Sequence, residues 1–230
     1  MSRGAFVNAP YRYITNHTKG NITMKVLLIN GSPHEKGCTY TGLCEVEKTL
    51  NANGIDTEII WLGNGAVRDC IACGACRKLG KCVFDDDICN EIIEKAKTAD
   101  GFVFGTPVYY AHPSGRVLSI MDRLFYSASK HFAHKPAASI VCARRGGTTA
   151  SFDVMNKYFT IAQMPVVSST YWNNIHGNKP EEALQDLEGM QIMRNLGTNM
   201  AWLIKCIEVG KANCVPVPEA ERGNVTNFIR

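Results

Sequence analysis

The feature of this sequence that most constrains its fold is a regular alternation of short apolar runs with amphipathic stretches. The run KVLLIN at 25–30 is rich in β-branched and apolar residues, which is typical of a strand buried on both faces. Four further runs have the same character and predict strands, at 57–62, 101–105, 138–143 and 165–170. Five strands are therefore expected.

Helical spacing fills the stretches between these strands, because apolar residues recur there three or four positions apart. The recurring residues are Leu43, Val46 and Leu50, then Ile88, Ile92 and Ile93, then Val117, Ile120, Met121 and Leu124, and finally Met193, Leu196, Met200, Leu203 and Ile207. Alternating strands and helices predict an α/β three-layer sandwich, in which helices cover both faces of a five-stranded parallel sheet. Ligands of such sheets bind beyond the carboxyl ends of the strands.

Charge and hydropathy exclude two classes of partner. The net charge is +4 and the basic residues are dispersed, so no nucleic-acid footprint is predicted. No apolar span approaches the ~18 residues of a membrane helix, and residues 1–23 have no apolar core of a secretory signal. We therefore expect a cytoplasmic protein with an N-terminal arm at 1–23 and one domain at 24–230.

The loop after the first strand, NGSPHEKGCTYTG at 30–42, has the composition of a phosphate-binding turn. Ser32, Thr39 and Thr41 offer hydroxyl groups, and a helix that begins here would present free N–H groups. Its spacing departs from both the nucleotide triphosphate loop and the dinucleotide fingerprint, which weakens those two classes. The alternative is a plain strand-to-helix turn with Thr39 as the N-cap.

Two further loops follow strands that end at the same edge of the predicted sheet. GTPVYYAHPSGRVLSIMDR at 105–123 contains Tyr109 and Tyr110, whose aromatic surface suits a flat ring or simply covers the sheet edge. ARRGGTT at 143–149 contains two arginines and two glycines, which offer cationic groups and exposed backbone N–H groups. The three loops together predict a site for a ligand that has both a phosphate and an aromatic system.

Taken in this order, NGSPHEKGCT, GTPVYYAHPSGRVLSIMDR and ARRGG resemble the flavodoxin-like NAD(P)H-dependent FMN reductase family. The cysteine loop at 69–87 narrows the likeness to its iron-sulfur flavoprotein branch. The resemblance covers roughly residues 25–210. It implies a flavodoxin-like fold, noncovalently bound FMN, NAD(P)H as co-substrate, and a homodimer or homotetramer that completes the flavin pocket.

The resemblance also implies which residues bind the cofactor, and it implies no catalytic acid or base. The implied set is Ser32, His34, Cys38 and Thr39 near the phosphate, Pro107, Val108, Tyr109 and Tyr110 along the isoalloxazine, and Arg144, Gly146 and Gly147 at its polar edge. Cys38 departs from the family, which usually has asparagine before the loop threonine. The side-chain amide is lost there, whereas the backbone donor remains.

The cysteine loop contains the spacing C-x2-C-x2-C-x5-C, formed by Cys70, Cys73, Cys76 and Cys82. Clustered thiols in a reducing compartment more often bind metal or carry redox chemistry than form disulfides. Cys82 supplies a local fourth thiolate, which the three closely spaced cysteines of bacterial ferredoxins lack. The spacing matches the compact motif of iron-sulfur flavoproteins, and the likeness implies a [4Fe-4S] cluster held by these four residues.

Three other interpretations of the loop stay open at this point: a tetrahedral zinc site, a redox-active dithiol, and a loop that holds no metal. Cys89 is interpreted as structural. The acidic run Asp85–Asp87 is interpreted as a complement to the dipole of a following helix, with a hard-cation site as the alternative.

The function expected from these features is that of an FMN-dependent oxidoreductase. Electrons would pass from NAD(P)H or a ferredoxin-like donor to a quinone, flavin, azo or nitro compound, with the metal centre beside the flavin. A noncatalytic electron carrier or redox sensor is the alternative from another class. A phosphate-binding regulatory module without flavin is a third, and it predicts a colourless protein.

Overall fold

The computed structural model describes residues 23–226 and residue 228. The arm predicted at 1–23 therefore lies outside the described residues except for its last position. The strands are β1 (Lys25–Asn30), β2 (Asp56–Trp61), β3 (Gly101–Tyr109), β4 (His112–Pro113), β5 (Ala137–Ala143) and β6 (Asn174–His176). The helices are α1 (Cys38–Ala52), α2 (Cys76–Leu79), α3 (Cys89–Ala96), α4 (Gly115–Ala128), α5 (Thr148–Ile161), α6 (Pro180–Ala183) and α7 (Leu187–Ala212).

Five of the strands form a parallel sheet in the order β2-β1-β3-β5-β6, and the short β4 pairs antiparallel with β3. The strand β1 is an interior strand, with Leu28 opposite Ile59 of β2 on one side and Val103 of β3 on the other. Every residue of β1 after Lys25 is buried, as its apolar run predicts. The carboxyl ends of β1, β3 and β5 consequently meet at one edge of the sheet.

Helices cover both faces of this sheet, which confirms the predicted three-layer sandwich. On one face, α1 and α7 pack on side chains such as Leu28 and Ile140. On the other face, α3, α4 and α5 pack on side chains such as Leu27 and Phe104. The predicted apolar stripes are the core-facing residues of α1 and α4, and the first three of the five predicted α7 residues are buried in the same way.

Two local predictions were wrong. The segment at 165–170 is not a strand, because it makes only one bridge, from Val166 to Ala137. The Ser169 hydroxyl donates to the Tyr171 carbonyl at 2.7 Å, and this local turn takes the chain away from the sheet before β6 begins. The N-cap of α1 is Gly37, so the alternative that placed Thr39 there is also wrong.

Across residues 23–226 and 228, the helices lack the combination of length and apolar character that a membrane crossing requires.

Candidate functional site

A cleft of about 800 Å³ opens at the sheet edge where β1, β3 and β5 end. Its walls come from five segments of the chain: the turn after β1 with the start of α1, the end of β2, the end of β3, the end of β5, and the turn after β6. The cleft therefore lies where a parallel sheet of this kind is expected to bind its ligand.

The side chain of Asn30, the buried last residue of β1, holds the turn that follows the strand. Asn30 Oδ1 accepts a hydrogen bond from the Ser32 N–H at 3.1 Å, and Asn30 Nδ2 donates to the Glu35 carbonyl at 2.8 Å. The Ser32 hydroxyl accepts from the His34 N–H at 3.1 Å, and the Trp61 indole N–H donates to the Ser32 carbonyl at 2.8 Å. The shape of the turn is thus fixed by the chain itself.

Close packing fixes the base of the same turn. The Gly31 N–H donates to the Gly105 carbonyl at 2.8 Å. A Cβ atom on Gly31 would lie 2.7 Å from the Cβ atom of Val117 on α4 and 2.8 Å from that carbonyl oxygen, so a side chain is excluded here. The Ser114 hydroxyl at the start of α4 donates to the Gly31 carbonyl at 2.9 Å. The turn and α4 are consequently one packed unit.

The N-terminus of α1 adjoins this turn, and no side chain among the described residues caps it. Its N-cap, Gly37, has extended backbone, so the N–H groups of the first helical turn are left for a ligand. Ser32 and Thr39 are both buried, and both line the cleft at this point. Free N–H groups, hydroxyl groups and the positive end of a helix dipole together suit a phosphate.

Two cysteines meet at the same end of the cleft. The Cys38 thiol donates to the Gly177 carbonyl at 3.5 Å and lies within hydrogen-bonding reach of the Cys142 thiol. Burial raises the pKa of Cys38 and raises that of Cys142 further, so both thiols are neutral at pH 7. Neutral sulfur therefore replaces the asparagine amide that the resembled family usually has here.

The hairpin of β3 and β4 borders the aromatic side of the cleft. Tyr109 pairs with His112, and the two residues at the tip, Tyr110 and Ala111, both adopt left-handed backbone, with φ of 52° and 59°. The tip packs on Gly147, where φ is 94° and a Cβ atom would lie 2.5 Å from the Ala111 Cα atom. Glycine is thus required at the N-cap of α5 for the hairpin to sit where it does.

Most of the predicted cofactor-binding residues line this one cleft: Ser32, His34, Cys38, Thr39, Pro107, Val108, Tyr109 and Arg144. The other three do not line it. Tyr110 projects fully into solvent, Gly147 lies under the hairpin tip, and Gly146 is exposed beside it.

Several lining residues were missed by the sequence interpretation. Trp61 is the last residue of β2, and Asn64 lies three residues farther along the chain. Both could have been predicted, because they follow the carboxyl end of the second predicted strand. The turn at 177–180 was missed because the fifth strand was placed nine residues too early. This turn contributes Lys179, which joins Lys36 and Arg144 around the cleft, so its charged lining residues are these three cations and the anionic Glu35.

The four motif cysteines line a second, smaller cavity of about 30 Å³, between the cysteine loop and the C-terminal half of α4. Cys73 is exposed, Cys70 and Cys76 are half-buried, and Cys82 is buried. The wall from α4 consists of Arg123, Tyr126 and Ser127. The four thiols therefore line one cavity, and their role as metal ligands stays a prediction.

The donor set of this cavity consists of four thiols, which suits iron-sulfur and zinc sites alike. Within the part of the chain that the structure describes, no group of three or more His, Cys, Asp or Glu side chains is placed to hold one metal ion. Tetrahedral zinc with Zn–S bonds of about 2.3 Å requires thiolates only about 3.8 Å apart.

The cavity is smaller than an iron-sulfur cluster. About 30 Å³ accommodates roughly two water molecules, which is less than a four-iron cluster needs. The exposed side of the loop, around Cys73, must therefore move outward for a cluster to enter. Next to Cys73, a Cβ atom on Gly74 would meet no other atom within 4 Å, so nothing packs against the loop at this point.

Arg123 connects the cysteine loop to α4. Its side chain is 1% exposed, and its Nε–H donates to the Cys82 sulfur at 3.1 Å. Both terminal nitrogens bond the Asp87 carboxylate, one of them at 3.0 Å. The carbonyl oxygens of Arg68 and Phe84 accept further hydrogen bonds at 3.2 and 3.4 Å. The buried guanidinium is thus fully paired.

The acidic run is paired within the protein. Burial opposes ionisation of Asp87, but hydrogen bonds from Arg123 and from the Cys89 N–H keep the pKa of that carboxyl below its ordinary value. Because Cys89 is the first residue of α3, this contact is the helix-terminus interaction that the sequence predicted. Asp86 pairs with exposed Arg68 at 2.7 Å. Burial raises the pKa of Cys89 to about 12, in agreement with its structural interpretation.

The cleft and the cysteine cavity are separate sites within the described chain. Their lining residues do not overlap. Ser114 supports the cleft turn from the start of α4, and Arg123 borders the cysteine cavity nine residues farther along, which is about 13 Å at 1.5 Å per residue. The expectation that the metal centre lies beside the flavin stays a prediction.

Comparison with known proteins identifies relatives along most of the chain. The family model described as NADPH-dependent FMN reductase matches residues 24–179. An iron-sulfur flavoprotein of Methanocaldococcus jannaschii is 32% identical over 80% of this chain and 100% of its own length. An iron-sulfur flavoprotein of Methanosarcina thermophila is 30% identical over 80% of this chain and 97% of its own length.

A solved structure extends the likeness to the fold. A flavodoxin from the domain Archaea superimposes with a TM-score of 0.55 and 15% identity, over 79% of this chain and 99% of that one. At this level of identity the likeness concerns the fold alone, and it confirms the flavodoxin-like architecture.

Proposed function

The chain belongs to the NADPH-dependent FMN reductase family, in its iron-sulfur flavoprotein branch, and from that premise we propose that it binds FMN in the cleft and acts as an FMN-dependent oxidoreductase. The observation that carries this proposal is the meeting of the three predicted loops in one cleft, with Ser32, Tyr109 and Arg144 each contributing to its lining. When bound, FMN supplies one- and two-electron chemistry that no side chain offers.

The phosphate end is assigned to the turn after β1. There the N–H groups at the start of α1 and the hydroxyls of Ser32 and Thr39 bind the phosphate, and Lys36 and Lys179 provide opposite charge. Because Asn30 already fixes the turn, little conformational freedom is lost on binding. The neutral Cys38 thiol bonds the Gly177 carbonyl, so the phosphate is bound by these other donors.

The aromatic end is assigned to Trp61, Pro107, Val108 and Tyr109. The bond from the Trp61 indole N–H to the Ser32 carbonyl fixes the orientation of that ring, and Tyr109 remains 45% exposed at the mouth of the cleft. A flavin held there keeps one side accessible to a donor or acceptor, or to a second copy of the chain in a homodimer or homotetramer. Arg144 lies at the β5 side for the polar edge of the ring.

The electron path is the finer part of the proposal. We propose NAD(P)H or a ferredoxin-like protein as donor and a quinone, flavin, azo or nitro compound as acceptor, in a reducing cytoplasm. Cys70, Cys73, Cys76 and Cys82 would hold a [4Fe-4S] cluster, which supplies one-electron exchange. The four-thiol cavity is the observation in its favour.

A noncatalytic electron carrier is the second candidate. The observation that favours it is the presence of two separate sites with different chemistry on one chain, a cationic cleft and a four-thiol cavity. Steady oxidation of NADH or NADPH by the purified protein with added quinone supports the oxidoreductase. Reduction of the protein that stops once its own cofactors are reduced, without further turnover, supports the carrier.

Anaerobic purification followed by an absorption spectrum, with assays for flavin, iron and acid-labile sulfide, tests the cofactors. We expect flavin bands and, after reconstitution with iron and sulfide, a broad absorption from the cluster. A colourless protein that fails to bind FMN at saturating concentration would contradict the proposal.

The substitution Thr39→Val tests where the phosphate binds. It removes one hydroxyl without changing the shape of the side chain, and loss of a hydrogen bond to a charged group is worth about 1.5–3 kcal/mol, or about 10- to 150-fold in the FMN dissociation constant. Riboflavin has no phosphate, so its affinity should be unchanged. Thr49→Val on the same helix is the matched control, because the Thr49 hydroxyl bonds only the Glu45 carbonyl. Equal loss for FMN and riboflavin would place the phosphate elsewhere.

A further inference from the structure

The four motif cysteines are held very differently. Cys82 is the buried one, and both its backbone and its sulfur are tied down. Its N–H donates to Asn90 Oδ1 at 2.9 Å, and its carbonyl accepts from Asn90 Nδ2 at 3.0 Å. Its sulfur accepts the Arg123 Nε–H at 3.1 Å. Cys73 is exposed, and the Cys76 thiol donates one long hydrogen bond, to the Tyr126 carbonyl at 3.8 Å. Cys82 is therefore held through both its backbone and its sulfur before any metal binds.

The hydrogen bonding of Arg123 goes beyond what an ion pair requires. Its two terminal nitrogens already satisfy the Asp87 carboxylate, and two backbone carbonyls take the remaining terminal N–H groups. The Nε–H is directed instead at the Cys82 sulfur. A buried cation held rigidly by a carboxylate and bonded to a thiol is an arrangement that orients the thiol.

We propose that Arg123 is a positioning residue for Cys82, which is the fixed thiol onto which the other three cysteines close, and that its bond to this sulfur stabilises the reduced state of the cluster. The inference rests on the proposed binding of a [4Fe-4S] cluster by the cysteine loop. It adds a residue outside the loop that sets both the assembly and the reduction potential of that site.

The sign of the effect follows from charge. Reduction adds one electron to the site and neither makes nor breaks a bond to the protein, so the reduced state is the more negative one. A donor N–H and a buried positive charge both lower the energy of that state, and hydrogen bonds to cluster sulfurs are one of the means by which proteins set such potentials. Loss of the bond should therefore make the reduction potential more negative.

The double substitution Arg123→Met with Asp87→Asn is the test, because it removes both buried charges together and leaves no unpaired ion. The matched control is Arg68→Met with Asp86→Asn. This pair lies on the same loop at 2.7 Å but is 55% exposed on both sides, and the Arg68 guanidinium bonds its carboxylate partner, not a sulfur. The readouts are the iron and sulfide content per chain and the cluster potential, measured by a redox titration followed by electron paramagnetic resonance.

We expect the test variant to shift the potential to a more negative value by at least one tenfold change in the ratio of reduced to oxidised cluster, which is 59 mV for one electron. The control should shift it less, because solvent screens an exposed charge. Loss of iron in the test variant alone, with a circular dichroism spectrum like that of the original protein, would also support the positioning role.

Two results would overturn the inference while leaving the proposed cluster intact. One is an unchanged potential in a test variant that still holds iron and sulfide. The other is an equal shift in the test and control variants, which would show that loss of any ion pair of the loop, and not loss of the bond to sulfur, is responsible. If the protein without substitutions takes up no iron and sulfide on reconstitution, the proposed cluster and this inference are both overturned. That result is seen without any variant.

Discussion

The cleft at the sheet edge and the cysteine cavity show two ways of building a site. The cleft turn is complete without a ligand, since Asn30 bonds it internally and Gly31 packs it on α4. The cysteine cavity is fixed on one side only, where Arg123 and Asn90 hold Cys82, and its other side is exposed. A preformed turn suits reversible binding of a whole cofactor, whereas a half-open loop suits a metal centre that is assembled inside it.

The difference has a simple cause in the fold. The cleft turns begin at the ends of buried strands, so the sheet positions them. The cysteine loop is inserted between β2 and α3, and it is ordered by the short helix α2, by contacts to α4 and by the Asn90 side chain of α3. The independence of the two sites can be tested by damaging one and measuring the other.

The largest effect is expected from Cys82→Ser. This change removes the fixed thiol, so reconstituted protein should retain almost no iron or sulfide, as assayed per chain. FMN content should be unchanged, because no residue among those described lines both sites. Cys206→Ser, at an exposed position on α7, is the control and should leave both cofactors in place. Loss of flavin together with iron would show that the sites depend on each other.

A smaller but still large effect is expected on stability. Asp87→Ala leaves the Arg123 guanidinium buried without its carboxylate, which should lower the free energy of unfolding by about 3–5 kcal/mol. Asp86→Ala breaks an exposed pair with Arg68 and should cost about 0–1 kcal/mol. Urea denaturation of the metal-free protein, followed by circular dichroism, measures both values. Similar losses for the two variants would mean that burial does not distinguish the two ion pairs.

The smallest effect is expected in the rates at which thiols react. In metal-free protein near pH 7.5, iodoacetamide should modify exposed Cys73 faster than Cys38. Each unit by which the Cys38 pKa is raised lowers the thiolate fraction at that site about tenfold. A raised pKa means less thiolate at a given pH. The alkylation rate at Cys38 should therefore still rise as the pH passes 9.0, the ordinary pKa of a cysteine thiol. Peptide mass spectrometry follows each site, and equal rates at pH 7.5 would contradict the pKa direction.

The sequence predicted the fold where local pattern and tertiary packing agree. The runs at 25–30 and 138–143 are strands almost to the residue, because buried parallel strands need continuous apolar segments. The run at 165–170 was misread for the same reason. Its valines are apolar, but Ser169 and its partners close a local turn, and β6 has the unremarkable sequence NIH.

The candidate site also contains residues that the sequence predicted and one that it could not predict. Turn composition was enough to bring Ser32, Thr39 and Arg144 to one cleft. The cysteine spacing was enough to predict a shared cavity. The role of Arg123 could not be predicted, because it lies in an ordinary amphipathic helix, 41 residues from the thiol that it contacts. Only the packing of the loop on α4 brings the two together.

The helix α4 reaches both regions of this comparison. Its first residues brace the cleft turn through Ser114 and Val117, and its second half presents Arg123 to the thiols. One residue inserted between these points would turn everything after it by about 100° and advance it by about 1.5 Å, which would aim the guanidinium away from the loop. The helix α4 thus sets both the distance and the angle between the cleft turn and Arg123. Proteins that carry both sites should therefore tolerate changes of length in the cysteine loop far more readily than between Ser114 and Arg123.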